Sequence, residues 1–385
     1  MSLLRNRALI AATFGHFSVD MYSGMLPLML LALTDSLKLS YAQVGFVSMS
    51  FTLASSLTQP FFGWLGDRYG SRPLTVMAVA AISTTVGLMR FVDSYVILIF
   101  LACIAGLGSG AFHPQGATLA AHASHEQRGS AASIFMLGGN TGYAIGPILG
   151  NGAFALAGGF LPEMFTTIGL LQAAIIFWAL AFQYRKTAEI PATPSAPSAK
   201  SVAVSVVITL GLVIFFRSWV QTSVTTYIPQ VYKAQGFSNE FASQVLFGIL
   251  LPLAIGGLIG GTMSDKIGRR RVLILSTALI GPALWGMMHA DSQWSFILGP
   301  LLGIAIGASL PVTLVMAQSL IPRGMGMMSG IVFGFTFVAG AIGVAINGIV
   351  ADQVGLLPTR TFNAFLPLLA AGLAFLLPAD HPRTS

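Results

Sequence analysis

The chain is a succession of long apolar runs cut by short polar breaks. Apolar runs fall at 8–33, 41–65, 73–91, 94–121, 129–156 and 163–184, and a second set at 202–228, 239–263, 271–290, 292–320, 325–351 and 361–378. A helix needs about 20 such residues to cross the ~30 Å hydrocarbon layer, and unpaired backbone is too costly in lipid for irregular structure to lie there. The pattern predicts an all-α polytopic membrane protein with twelve transmembrane helices. An even number of spans places both termini on one side.

One longer polar stretch, 185–201, runs from Arg185 to Ser201 and is rich in Pro, Ser and Ala. Such a segment has too little apolar surface to fold alone and reads as a linker. It divides the chain into an N-terminal bundle at 1–184 and a C-terminal bundle at 202–385, each with six predicted helices. An internal repeat supports the division. Gly63-Trp-Leu-Gly-Asp67-Arg68-Tyr-Gly70-Ser-Arg72 returns 198 residues later as Gly261-Thr-Met-Ser-Asp265-Lys266-Ile-Gly268-Arg-Arg270. At the same offset Gly142 falls on Gly340 and Gly150 on Gly348. Two pseudo-symmetric six-helix bundles repeating in parallel is a transporter architecture, with the substrate site expected near mid-membrane between the repeats.

Composition agrees with a life in lipid. Charged residues make up 8% of the chain against about 25% in soluble domains, too few to keep a water-exposed surface in solution. The net charge of +7 would suit nucleic acid, but 14 of the 19 Lys and Arg fall in the termini and the alternate loops on one side. That is the positive-inside distribution of a multi-pass inner (plasma) membrane protein with both termini cytoplasmic, so no nucleic-acid partner is expected. Arg5 and Arg7 precede a first run that is too long for a signal peptide and lacks a clear small-residue cleavage site, which predicts an uncleaved first helix. The single cysteine, Cys103, excludes an intrachain disulfide.

Four ionisable side chains lie well inside the apolar runs: His16, Asp20, His113 and Arg217. Each costs at least ~2.5–3.5 kcal/mol to insert and so needs a partner or a purpose. His16 and Asp20 are four apart and share a helix face with Ser23 and Pro27. His113 precedes Pro114 and is read either as a proton relay or as a packing histidine bonded to the carbonyl that proline frees. Arg217 aligns through the repeat with Val19, next to Asp20. Asp20 is the expected proton-coupling carboxylate, with His16 and His113 beside it. Arg217 is expected to pair with Asp20 or to hold an anionic substrate, the alternative being a static buried ion pair. Tyr22, Gln115, Asn140, Gln221 and Tyr227 are polar candidates for the substrate lining, or else interhelical hydrogen bonds.

Other chemistry has no support in the sequence. There is no Gly-x-x-x-x-Gly-Lys-Ser/Thr loop for ATP, no His-Glu-x-x-His, no cysteine cluster and no nucleophile elbow. No cofactor, metal or enzymatic activity is therefore expected.

The twice-repeated loop resembles the signature loop of the major facilitator superfamily. The resemblance implies that Asp67, Arg68 and Arg72, with Asp265, Lys266 and Arg270, are cytoplasmic gate elements. The run Gly142-Tyr-Ala-Ile-Gly146-Pro147-Ile-Leu-Gly150 resembles the Gly-x-x-x-Gly-Pro motif of that superfamily's antiporters, which implies a helix bend at Gly142, Gly146 and Pro147, and efflux. A closer resemblance is to the fosmidomycin-resistance branch. It rests on Gly15-His16-Phe-Ser-Val-Asp20-Met-Tyr22-Ser23 with Leu26-Pro27, on Phe112-His113-Pro114, on Gly138-Gly139-Asn140 and on Arg217-Ser-Trp219. Gln115 departs from it, standing where that branch has Glu. The resemblance implies a monomeric, proton-coupled antiporter of the major facilitator fold, exporting a small organic or anionic compound or drug by alternating access, with protons, substrate and lipid as its partners. Proton-coupled uptake of a carboxylate or sugar is the second expectation; a channel or a membrane enzyme acting on lipids are further ones.

Overall fold

The computed structural model describes residues 5–122, 128–155, 161–180, 204–320 and 325–379, so the linker expected at 185–201 lies outside the described residues. The first six runs form α1 (Arg7–Leu37), α2 (Tyr41–Tyr69), α3 (Ser71–Leu88), α4 (Tyr95–His122), α5 (Arg128–Ala155) and α6 (Leu161–Ala179). The next five form α7 (Val204–Ala234), α8 (Asn239–Ile267), α9 (Arg269–His289), α10 (Ser295–Leu320) and α11 (Met325–Val354). The last run, read as 361–378, is carried by two short helices, α12 (Leu356–Asn363) and α13 (Leu366–Ala374). Pro367 at the start of α13 has no N–H for the Asn363 carbonyl and would clash with it, which separates the pair. Eight helices among the described residues are long and apolar enough to cross a membrane. Their outward positions carry large apolar side chains such as Phe100, Val96, Ile297 and Leu258, as a lipid-facing surface requires.

Contacts divide the chain into two compact units. One comprises Met1–Lys186 with Thr226–Phe247, and the other Thr187–Thr225 with Gly248–Ser385. The first changeover lies inside the expected linker. Residues 226–247, expected in the C-terminal bundle, group by contacts with the first unit. Within the first unit the Tyr227 hydroxyl donates to the Tyr41 carbonyl at 3.0 Å, and Gln230 Nε2 donates to Thr34 Oγ1 at 3.1 Å. Ser48 and Thr226 share a hydroxyl bond of 3.2 Å, and Lys233 pairs with Asp35 at 3.4 Å.

Inside the first unit α1 packs on α5, α2 on α4, and α3 on α6. The α1–α5 contact is made by glycines four apart. Gly138 lies on Thr13, Gly142 on Phe17, Gly146 on Met21 and Gly24, and Gly150 on Met25. Without side chains at these positions the two backbones meet directly, which is how membrane helices gain dispersion energy where no hydrophobic effect drives them together. The second unit repeats the scheme. Gly340 and Gly343 of α11 meet Thr222 and Trp219 of α7, and Gly303 and Gly307 of α10 meet Ile249 and Leu253 of α8. A core of Leu210, Val213, Leu273, Val312 and Ala370 joins α7, α9, α10 and α13.

The repeated loop is a one-residue link in both units. Gly70 separates α2 from α3 at φ 89°, and Gly268 separates α8 from α9 at φ 94°. Side-chain-bearing residues rarely adopt this backbone, which is why glycine occupies the same place in both copies.

Candidate functional site

In the first unit, α1 is started by Asn6, whose side chain accepts from Ala8 and Leu9 N–H, and it continues unbroken through Pro27. This fixes His16 and Asp20 on one face, one turn apart. His16 Nε2 lies 3.2 Å from Asp20 Oδ2, and His113 Nε2, from α4, lies 3.3 Å from Asp20 Oδ1. Each imidazole is held from behind by a backbone carbonyl. His16 Nδ1 is 2.8 Å from the Phe135 oxygen on α5, and His113 Nδ1 is 2.7 Å from the Ser109 oxygen one turn back on α4. The carbonyl that Pro114 deprives of a donor is that of Gly110, so His113 does not use the freed acceptor. The His16 ring stacks on Phe135 at 4.0 Å between centroids and faces Phe112 at 6.0 Å.

Two helices, α1 and α4, thus deliver two imidazoles and one carboxylate to a single point in an apolar bundle, and α5 adds the Phe135 carbonyl. The three groups lie within 4.8 Å of one another and are of the donor types that hold transition metals. The carboxylate, however, gives a different oxygen to each ring. It thus bridges the two imidazoles through one short contact from each of its oxygens.

In the second unit Arg217 lies on α7 with 1% of its surface exposed. Its Nη1 donates to Gln221 Oε1 at 2.8 Å and its Nη2 to Ser218 Oγ at 3.1 Å, while Nε has no partner. Among the described residues no carboxylate lies within ion-pair distance of the guanidinium. A buried cation with only neutral partners is costly in this setting. Within the first unit Asp20 is held by its two histidines, and within the second Arg217 is held by Gln221 and Ser218.

The remaining polar candidates are placed differently from one another. Tyr22 is buried and donates to the Phe165 carbonyl of α6 at 2.7 Å. Gln115 is buried against α2, its Nε2 donating to the Phe62 carbonyl at 2.7 Å. Tyr227 ties α7 to the start of α2. Each of these three donates one hydrogen bond to a backbone carbonyl of a neighbouring helix. Asn140 is half-buried on α5, and Gln221 is the partner of Arg217.

The loop residues gather at helix ends. Asp67 and Arg68 are exposed at the end of α2, with the Arg68 guanidinium 5.8 Å from the Trp64 ring and 5.6 Å from the Tyr69 ring. Arg72, on α3, sits 4.0 Å over the Phe177 ring of α6. Asp265 and Lys266 are exposed at the end of α8, and Arg270 is half-buried on α9. Gly142 and Gly146 are the α1 contact points described above, and Pro147 is buried within a continuous α5.

Sequence reasoning did not find Phe135, Ser109 or Ser218. The first two act on the histidines through backbone carbonyls, which leave no mark on residue type. Ser218 had a signal in its position beside a buried arginine. Trp219 Nε1 donates to Asn347 Oδ1 on α11 at 2.9 Å.

Comparison with known proteins matches the Major Facilitator Superfamily profile to residues 9–253 and 210–385. The chain is 30% identical over 376 residues to the fosmidomycin resistance protein of Escherichia coli K12, covering 96% of this chain and 93% of that one. It is 32% identical over 379 residues to an uncharacterized MFS-type transporter of Bacillus subtilis, YfnC, covering 95% and 91%. The fold resembles the crystal structure of a D-xylose-proton symporter with a TM-score of 0.77 at 15% identity, over 98% of this chain and 99% of that one.

Proposed function

The chain belongs to the major facilitator superfamily and is an integral membrane transporter, not an enzyme; from that premise we propose that it exports a small organic anion or drug in exchange for protons, by alternating access. The observation that carries the reading is the His16–Asp20–His113 cluster. An ionisable trio placed in hydrocarbon and linked through one carboxylate has the composition of a proton carrier. Arg217 supports the anionic substrate: it is buried with Gln221 and Ser218, and its charge is left for a ligand to neutralise. Export is favoured over uptake by full-length similarity to a protein named for drug resistance and by the Gly142–Pro147 motif. The positive-inside charge distribution supports a place in the inner membrane with both termini cytoplasmic. The glycines and charges of the two repeated loops fit gate elements at that face. The protein acts alone as a monomer in this reading.

The test is transport in reconstituted vesicles with fosmidomycin and a panel of organic anions. An imposed proton gradient should drive movement of at least one of them in wild type, and Asp20→Asn should stop that movement. Equal movement with and without the gradient, unchanged in Asp20→Asn, would instead make the protein a facilitator with a structural Asp20.

A further inference from the structure

The hydrogen-bond partners of the two histidines fix how many protons the cluster holds. This inference rests on the proton-coupled reading above and adds its stoichiometry. A carbonyl oxygen only accepts, so His16 Nδ1, 2.8 Å from the Phe135 oxygen, carries a hydrogen, and so does His113 Nδ1, 2.7 Å from the Ser109 oxygen. In a neutral ring whose hydrogen is on Nδ1, Nε2 offers only a lone pair. Both Nε2 atoms nevertheless face a carboxylate oxygen, at 3.2 and 3.3 Å. Two lone pairs repel at that distance, so each contact requires a hydrogen of its own.

A carboxylic acid supplies one hydrogen and there are two contacts. Either both rings are imidazolium around a carboxylate, or one ring is imidazolium and the other accepts from a protonated Asp20. Both descriptions contain the same atoms. Relative to a carboxylate and two neutral rings, the cluster has gained two protons and moved from a charge of −1 to +1. The serine hydroxyl next to it does not alter the count: Ser109 Oγ is 3.5 Å from His113 Nδ1, whereas the Ser109 carbonyl at 2.7 Å is the partner that takes the ring hydrogen. Among the described residues of α2 to α6, which surround α1, no further Asp, Glu, Lys, Arg or His lies within ion-pair distance of the three groups. The Tyr22 hydroxyl, on the same helix, gives its hydrogen to the Phe165 carbonyl.

We propose that the His16–Asp20–His113 cluster takes up two protons together and that the transporter therefore exchanges two protons per substrate molecule. Exposure orders the path. The side chain of His113 is 29% exposed, that of Asp20 18% and that of His16 4%, so protons enter at His113 and pass across the carboxylate to His16. Loss of either proton removes the hydrogen from one contact, and the facing lone pairs then part that ring from Asp20.

The decisive measurement is the limiting fosmidomycin concentration ratio across proteoliposome membranes at a pH difference of one unit, with the membrane potential clamped to zero. Two protons per molecule give a ratio of about 100-fold, and one proton gives about tenfold. His113→Gln should lower about 100-fold to about tenfold. A wild-type ratio of about tenfold overturns the two-proton inference and leaves proton coupling standing, whereas a ratio of one overturns both. If fosmidomycin is not moved, nitrogen-15 spectra of histidine-labelled full-length protein in lipid nanodiscs decide, with His16→Gln and His113→Gln used for assignment. The expected result is a hydrogen on Nδ1 of both rings, with at least one ring doubly protonated. A neutral ring protonated on Nε2, or two neutral rings, overturns the inference.

Discussion

Gln115 reaches from α4 to α2 and donates through Nε2 to the carbonyl of Phe62 at 2.7 Å, five residues before the Asp67 of the repeated loop. The amide lies where a side chain on Gly66 would be, so the bond exists only because residue 66 has none. Its neighbour two places back, His113, is the most exposed member of the His16–Asp20–His113 cluster. One short segment of α4 therefore touches both the cluster and the helix that ends in the loop.

Gly66→Ala should displace the flexible Gln115 amide and act as Gln115→Ala does. An interhelical hydrogen bond of this kind is worth about 1 kcal/mol. Each single variant should lose about that much stability, and the double variant no more than either alone. Thermal unfolding in detergent measures it; additive losses would mean that the two residues act independently.

The α1–α5 contact should be much less forgiving. A methyl on Gly142 meets the Phe17 carbonyl, a backbone atom that cannot swing aside. Gly142→Ala should cost about 1–3 kcal/mol, the usual range for overpacking. Gly211→Ala and Gly248→Ala meet nothing within 4 Å and should be neutral or stabilising by up to about 1 kcal/mol, since alanine is the better helix former. Unfolding curves of the three variants separate these outcomes.

Arg217→Met removes a buried charge that has only neutral partners, and fills much of the same volume. Stability should hold or rise, because apolar replacements of buried charges are often neutral or favourable. Binding of an anionic substrate, followed by calorimetry, should weaken at least about tenfold, the equivalent of about 1.4 kcal/mol. A destabilised Arg217→Met with unchanged binding would assign the arginine a structural role.

The Lys233–Asp35 pair should matter little to stability. Its side chains are 41% and 70% exposed and its distance is 3.4 Å, so water screens most of the attraction. Asp35→Asn should change stability by no more than about 1 kcal/mol, and less at high salt. A larger loss in thermal unfolding would show that the pair is shielded.

The sequence by itself determined the helices, their number and the repeat, because crossing lipid imposes a length, an apolar composition and internally paired backbone that single residues report directly. Four ionisable groups were equally legible, since in hydrocarbon each of His16, Asp20, His113 and Arg217 is an expense that composition exposes; Arg360, just outside the last apolar run and buried as fully as Arg217, was not. Tertiary structure decided the partners. Asp20 meets His16 and, from another helix, His113, and the far side of each ring meets a backbone carbonyl, that of Phe135 or of Ser109. Every residue carries such a carbonyl, so no residue type could have announced which two would serve. For the same reason the sequence left open whether Tyr22 and Gln115 line a substrate path or bond between helices, and could not name the Phe165 and Phe62 carbonyls to which they donate. Residue identity reports what a side chain costs to bury, and only the approach of helices distant in sequence reports which acceptor meets it.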